Sequence, residues 1–452
     1  MAPPRRLALL ATLAAALSVV TASTYCQYEK PAAKLVTAPG VEYKVLLDGL
    51  SDPRGLVVDT EGNLLLVERG GGGKGVTRVV LDDGHGAHVC FKSKSQLVPD
   101  SKLKLNHAIA LSKDGRTLFA SSFSDVYAWK YDAVEGKVGQ RRHVITGMRQ
   151  GGHATRTLLI PELNPDLLLV SRGSDGNVDK GTTDMDSARS QIRVFKLDEL
   201  LNADYPVQYS SGAVLGWGLR NSVGVTQDPS TGNIWSVENS LDDMKRRGKD
   251  IHQSNPGEEL NFHGRPDDTY SDVYGKNFGY PVCVTMYDSS NVGRYPGGAE
   301  TGKPMVGDHM PKNWTDDWCQ RETVAPRITF ESHLAPLDIK FQDDGSAAYI
   351  SFHGSWNRQP AAGYRVSRVS FSDGFPVHER NSREAEEKVI WNADESVCPS
   401  GCFRPVGLAM GRSGERLFVT SDATGELIVV TGFKGDYGRS RGKSKSRGGQ
   451  GS

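Results

Sequence analysis

Pro53-Arg-Gly-Leu-Val-Val-Asp-Thr-Glu-Gly-Asn-Leu-Leu-Leu-Val67 reads as an apolar strand, a polar turn carrying Asp and Gly, and a second apolar strand. The unit returns as Asn106-His-Ala-Ile-Ala-Leu-Ser-Lys-Asp-Gly-Arg-Thr-Leu-Phe-Ala120, as Leu337-Asp-Ile-Lys-Phe-Gln-Asp-Asp-Gly-Ser-Ala-Ala-Tyr-Ile350 and as Pro405-Val-Gly-Leu-Ala-Met-Gly-Arg-Ser-Gly-Glu-Arg-Leu-Phe-Val419. In these four copies an apolar residue stands six positions before the turn glycine: Leu56 to Gly62, Ile109 to Gly115, Ile339 to Gly345 and Leu408 to Gly414. Two further copies lie between them. One is His153-Ala-Thr-Arg-Thr-Leu-Leu-Ile160 with Asp166-Leu-Leu-Leu-Val170; the other is Val223-Gly-Val225 with the turn Asp228-Pro-Ser-Thr-Gly-Asn233 and Ile234-Trp-Ser-Val237, with one insertion. Strand-like runs such as Val76–Leu81, Val126–Lys130, Gln191–Lys196 and Tyr364–Val369 separate the copies, so each unit has chain for about four strands. Six such units predict an all-β fold, a six-bladed β-propeller whose closed ring shields most strand edges. A chance run of hairpins in a sandwich is the competing reading, and six copies, most of them in register, outweigh it. The long spacing before the fifth copy places an insertion at roughly residues 240 to 335, with long loops over one face that build a binding site.

Composition supports this reading. Gly (51) and Pro (22) are plentiful among 452 residues, which suits short strands and turns. Residues 1–22 read as a secretory signal: Arg5 and Arg6, an apolar run, then Val20-Thr-Ala22. The run is short for a membrane span, and no other window is long and apolar enough. The propeller domain is expected over 23–433, followed by a disordered, basic Gly/Ser/Arg/Lys tail over 434–452. Formal charge is zero overall, but basic residues concentrate in the signal and tail, so the body is mildly acidic. That argues against nucleic acid. Six cysteines in a secreted chain suggest three disulfides, for which fifteen connectivities exist; proximity favours Cys398–Cys402, loop context favours Cys283–Cys319, and Cys26–Cys90 remains. Asn313-Trp-Thr315 is a glycosylation sequon. No GxSxG, P-loop or dinucleotide-binding glycine motif is placed to support other enzyme classes.

In a propeller the residues entering the innermost strands face a common channel. Here they are Arg54, Asn106 and His107, His153 and Arg156, Arg220 and Asn221, and Arg404. The fifth copy is apolar there, but its second strand runs into Phe352-His-Gly-Ser-Trp-Asn-Arg358, which adds His353, Trp356 and Arg358. Several arginine forks converging on one end of an axis suit a ligand bearing several carboxylates. Trp217 and Trp356 offer flat faces. The polar loop Asn239-Ser-Leu-Asp-Asp243 opposite Arg220 and Asn221 can present backbone carbonyls to a hard cation. The bland alternative is that each arginine closes its own salt bridge between blades.

Four segments, Gly152-His-Ala-Thr-Arg-Thr157, Leu219-Arg-Asn-Ser-Val-Gly224, Glu258-Glu-Leu-Asn261 with Asn277-Phe-Gly-Tyr-Pro281, and His353-Gly-Ser-Trp-Asn-Arg358, carry a family likeness. Over roughly residues 40 to 432 the chain resembles the soluble quinoprotein sugar dehydrogenases, above all the fungal pyranose dehydrogenases that depend on pyrroloquinoline quinone (PQQ), grouped with sorbosone dehydrogenase-like proteins. The resemblance implies PQQ and one Ca²⁺ at the mouth of the propeller. It implies His153 as catalytic base, Arg220 and Asn221 as a quinone-contacting pair, and Arg404 on a cofactor carboxylate; Arg220 is also expected to be catalytic, stabilising the oxyanion as it develops. It implies Arg54, His353 and Arg358 as further cofactor contacts and the carbonyls of Ser240 and Leu241 as metal donors; Trp356, read from its flat face, is expected to bind the cofactor too. There are departures: Gly152 stands where bacterial glucose dehydrogenases place an acid, and the loop from Asp242 to Pro256 is longer and more charged than theirs.

The function expected is therefore a secreted, extracellular, monomeric oxidoreductase. It oxidises a pyranose or related sugar hydroxyl and passes electrons to an external acceptor such as a cytochrome or redox enzyme, with no nucleic acid and no membrane after signal cleavage. Two other readings stand beside it. A Ca²⁺-dependent lactonase on the same scaffold would have no use for several guanidiniums, and a non-enzymatic binding propeller would take up no redox cofactor.

Overall fold

The computed structural model describes residues 26–70, 74–83, 89–99, 102–149 and 151–433. The expected signal and the basic tail lie outside them. Each repeat forms the two innermost strands of one blade. In chain order these pairs are Pro53–Val58 with Leu64–Glu68, Leu105–Leu111 with Thr117–Ser122, Leu158–Leu159 with Leu167–Arg172, Ser222–Gln227 with Ile234–Glu238, Pro336–Phe341 with Ala347–Phe352, and Pro405–Met410 with Arg416–Ser421. Every pair is antiparallel, and six sheets result, a six-bladed β-propeller.

The second strands read as continuous apolar runs because both faces of a blade are covered by its neighbours. Leu64, Leu65, Leu66 and Val67 are all fully buried. The first strands carry glycine where they crowd round the axis. A Cβ on Gly407 would stand 2.6 Å from the Arg54 carbonyl oxygen, and one on Gly224 would stand 2.9 Å from the Asp338 backbone.

The ring is closed from the N-terminus. Leu35–Thr37 pairs with Glu387–Asn392 as the outermost strand of blade five. Glu42–Leu47 pairs with Glu426–Thr431 in blade six. The three disulfides are Cys26–Cys90, Cys283–Cys319 and Cys398–Cys402, the pairing favoured by the sequence.

The insertion belongs to blade four and enters twice, once on each side of its third strand, Glu258–Gly264. The first part, after Glu238, carries the hairpin Lys245–Arg246 with Lys249–Asp250. The second pairs Lys276–Asn277 with blade three, forms the hairpin Cys283–Thr285 with Pro304–Val306, and ends in the helix Asp316–Glu322, capped by Thr315. Arg246 ties the two parts through both oxygens of Asp316 (2.9 and 2.7 Å). Tyr280 from the second part donates to the Asn177 carbonyl (3.0 Å), so the insertion reaches the loops around the channel mouth. Below that mouth the channel continues as cavities of about 520 and 630 Å³ between the inner strands, with Lys340 and Asp338, paired along one strand (2.8 Å), on the wall.

Candidate functional site

Two sets of loops meet at the mouth. One set enters the first strands; the other connects second strands to third strands. Hydrogen bonds from their side chains and backbone follow one another round the channel from blade two to blade one. Asn106 of blade two donates to the Ala154 carbonyl (2.7 Å). His153 bonds Ser174 of blade three. Arg220, entering blade four, donates to the Asn177 carbonyl (3.2 Å) and side-chain oxygen (3.0 Å), to the Asn239 carbonyl (3.1 Å) and to Asp242 (3.0 Å). Glu258 accepts from the Ser240 and Ala335 N–H groups (2.7 and 3.2 Å), and the Ala335 carbonyl accepts from the His353 N–H (3.0 Å). His353 and Arg404 lead through Asp422 to Arg54 of blade one. Arg54, His153, Arg220 and Arg404 thus share one rim.

His153 has a fixed tautomer. The Ser174 hydroxyl donates to the Gly176 carbonyl (2.7 Å), so toward the imidazole it must accept, and it takes the Nδ1–H (2.9 Å) together with the Ser174 carbonyl (3.2 Å). Nε2 is left as a lone pair. Burial, then the positive charge of Arg220, push the His153 pKa down to about 3, so the ring is neutral wherever the protein is folded near neutral pH. Gly173 makes this closeness possible. A side chain there would meet the His153 Cβ and the Asn221 side-chain oxygen at 2.8 Å each.

His353 is held in the opposite tautomer. Arginine only donates, so the bond from Arg404 (2.9 Å) finds a lone pair on Nδ1. The Nε2–H then donates to Asp422 (2.9 Å), which also takes Arg54 (2.6 Å). Burial works to raise Asp422, but His353, Arg54 and Arg404 outweigh it and hold its carboxyl below the usual range. Both nitrogens of His353 are spent on protein, so it joins two arginines through Asp422.

The remaining expected residues divide. Asn221 is buried beside His153 and Arg220. Arg358 pairs with Glu331 (2.7 Å) and the Ser332 carbonyl on a neighbouring loop. Trp356 is 70% exposed on the rim. Arg156, expected to face the channel, does not: it is fully buried and its guanidinium closes its own loop on the carbonyls of His153, Thr155 and Arg149. His107 is buried with Nδ1 unpartnered, and burial holds its pKa well below the ordinary value. Sequence reasoning missed Ser174, Asn177, Glu258, His333 and Asp422.

The loop Asn239–Asp242 is nearly exhausted as a hydrogen-bonding segment. The Asn239 N–H donates to the Asn221 carbonyl (3.1 Å) and its own carbonyl takes Arg220. The Asp242 N–H donates to the Asn177 side-chain oxygen (2.8 Å) and its carbonyl accepts the Asn177 amide (2.9 Å). The Ser240 N–H goes to Glu258. The Leu241 side chain is buried among Met244, Ile251 and Met305. Among the described residues, no donor reaches the carbonyl oxygens of Ser240 and Leu241. Two adjacent free carbonyls on a pinned loop are hard oxygen donors of the kind Ca²⁺ takes, and among the described residues there is no cluster of three His, Cys, Asp or Glu side chains that competes with them. The residues fit the group.

The TrAA12-like family model matches residues 35–432. The chain belongs to that family. A PQQ-dependent sugar dehydrogenase of Hypocrea jecorina is 41% identical over 400 residues, covering 87% of this chain and 89% of the relative. A PQQ-dependent pyranose dehydrogenase of Coprinopsis cinerea is 37% identical over 423 residues; the match takes in 90% of this chain but only 56% of that protein. The calcium structure of the Trichoderma reesei AA12 carbohydrate-active enzyme superposes with a TM-score of 0.83 at 41% identity, covering 91% of this chain and 99% of that one. The likeness read from the sequence motifs is thereby a family relationship.

Proposed function

We propose that the chain is a secreted quinoprotein that oxidises a hydroxyl of a pyranose or related sugar by hydride transfer to PQQ, with electrons passed to an external acceptor. The observation that carries this reading is the His153 imidazole, held neutral with its Nε2 lone pair free beside a buried guanidinium. Similarity to relatives named as PQQ-dependent sugar and pyranose dehydrogenases supports the cofactor and the substrate class, and the three disulfides suit an oxidising compartment.

When bound, the quinone supplies a two-electron acceptor and Ca²⁺ a Lewis acid. Arg54, Arg220 and Arg404, with Asn221, would hold the cofactor's carboxylates and carbonyls, and Ser240 and Leu241 the metal. Trp356 and Arg358 would border the cofactor from the rim. His153 takes the hydroxyl proton at Nε2 while Ser174 keeps the ring in register. Arg220 sits where it stabilises negative charge that develops nearby. Asp422 and His353 hold Arg54 and Arg404 in place.

Adding PQQ and Ca²⁺ to EDTA-stripped protein should bring dye-reducing activity with free aldoses. His153→Ala should lower turnover at least ~10²-fold while still taking up quinone, followed by absorbance. Unchanged turnover in that variant would reject the assignment of the base.

A further inference from the structure

We infer that Glu258 is a positioning residue for calcium: its carboxylate clamps the loop that presents the Ser240 and Leu241 carbonyls. Glu258 is 4% exposed and opens the third strand of blade four. One oxygen takes the Ser240 N–H (2.7 Å), holding the N–H side of the peptide whose carbonyl, that of Asn239, takes Arg220. The other takes the Ala335 N–H (3.2 Å). Ala335 (φ 52°) and His333 (φ 63°) both lie in the left-handed region without being glycine, a conformation that persists only where its surroundings impose it. Asn239 also reaches across to the Pro336 carbonyl (2.5 Å). The carboxylate and Asn239 together hold these two segments at a fixed spacing, and that spacing aims the two free carbonyls.

Asn177 does the same job from blade three. It brackets Asp242 through both its amide and its oxygen, just past Leu241. With both clamps in place the carbonyl pair is preorganised; with either removed the loop must be ordered by the metal itself. Groups that orient metal ligands in this way typically cost 10–100-fold in affinity when removed.

The inference rests on the calcium reading above, and the test separates the two. Ca²⁺ is titrated calorimetrically into EDTA-treated wild type, Glu258→Gln, Asn177→Ala and Glu259→Gln. Glu259 is the control. It is adjacent and equally buried, but its carboxylate bonds Thr285 (2.5 Å) and Asn261 (3.1 Å) and leaves the loop alone. The expected result is calcium affinity weakened about 10-fold or more in Glu258→Gln and Asn177→Ala, recovered at high Ca²⁺, and unchanged in Glu259→Gln. Wild type that binds no Ca²⁺ would overturn the calcium reading itself. Wild type that binds while Glu258→Gln binds equally well, or while Glu259→Gln is weakened to the same degree, would overturn the clamp alone. If Glu258→Gln fails to fold, Asn177→Ala decides by the same criterion.

Discussion

Arg220→Met removes the cation at the centre of the site while keeping a side chain of similar length. The guanidinium is 5% exposed and faces Asp242 at 17%. Met leaves the Asn177 carbonyl, the Asn177 side-chain oxygen and the Asn239 carbonyl without a donor, at about 1 kcal/mol each. It also strips Asp242 of its ion pair, and losing one partner of a buried pair costs roughly 3–5 kcal/mol. These losses share one side chain and do not add. Asp242 also keeps His333 at 3.5 Å and some access to water, so the expected loss is about 4 kcal/mol. A second effect is electrostatic. Burial is the larger cause of the low His153 pKa and Arg220 the next, so in Arg220→Met the imidazole should titrate above about 3 yet still below its ordinary 6.5. The sign follows from linkage. Unfolded chain binds this proton near 6.5 and folded chain only near 3, so the neutral ring's contribution is whole above 6.5 and is lost as pH falls towards 3. Raising the folded value narrows that window from its acid end. Urea unfolding of the apoprotein and NMR titration of the histidine ring carbons from pH 3 to 8 measure both quantities. A loss under ~1 kcal/mol with an unmoved His153 midpoint would refute Arg220 as the organising charge.

Asp422→Asn leaves Arg54 buried without its carboxylate; the pair is 5% and 10% exposed, and apoprotein stability should drop by about 3 kcal/mol in urea unfolding. Glu135→Gln, at an ion pair 74% and 60% exposed, should change stability by less than ~0.5 kcal/mol; equal effects at the two sites would contradict the burial argument. Replacing Cys283 and Cys319 with Ser opens a loop of sequence separation 36, worth about 4 kcal/mol of chain entropy, whereas Cys398 and Cys402, separated by 4, should cost about 2. Paired unfolding curves check the order, and a larger loss at the shorter loop would reverse it.

The parts of this molecule that could be read from sequence are those encoded within one hairpin. Strand, turn and strand recur with their glycines in place, so the blades were visible. So were His153, Arg220 and Arg404, because they stand where the first strand begins. Closure of the ring was not visible. Leu35–Thr37 and Glu42–Leu47 pair with strands some 350 to 390 residues further along, and period-2 patterning says nothing about which partner a strand takes. Arg156 was misread for a related reason. It begins an inner strand like the others, but blade three's first strand is only Leu158–Leu159, so the chain before it folds back and buries the guanidinium in its own loop.

Two of the missed residues, Ser174 and Asp422, obey a rule that the repeats contain. With Asn239 and His353 they stand at the exit of a second strand, one or two positions beyond Arg172, Ser421, Glu238 and Phe352 respectively. An antiparallel hairpin returns that exit to the end of the sheet where the first strand entered, so entry and exit residues of one blade face the same mouth. Aligning the six copies at both points, rather than at the entry alone, brings the donors Arg54, Arg220 and Arg404 together with the acceptors Asn239 and Asp422 before any coordinates are known. A propeller thus sets a cation at the entry of a first strand against an oxygen at the exit of a second strand, within one blade for Arg220 and Asn239 and between neighbouring blades for Arg54 and Asp422. What no alignment of copies supplies is Glu258, because it opens a third strand, outside the entry and exit positions that the copies share.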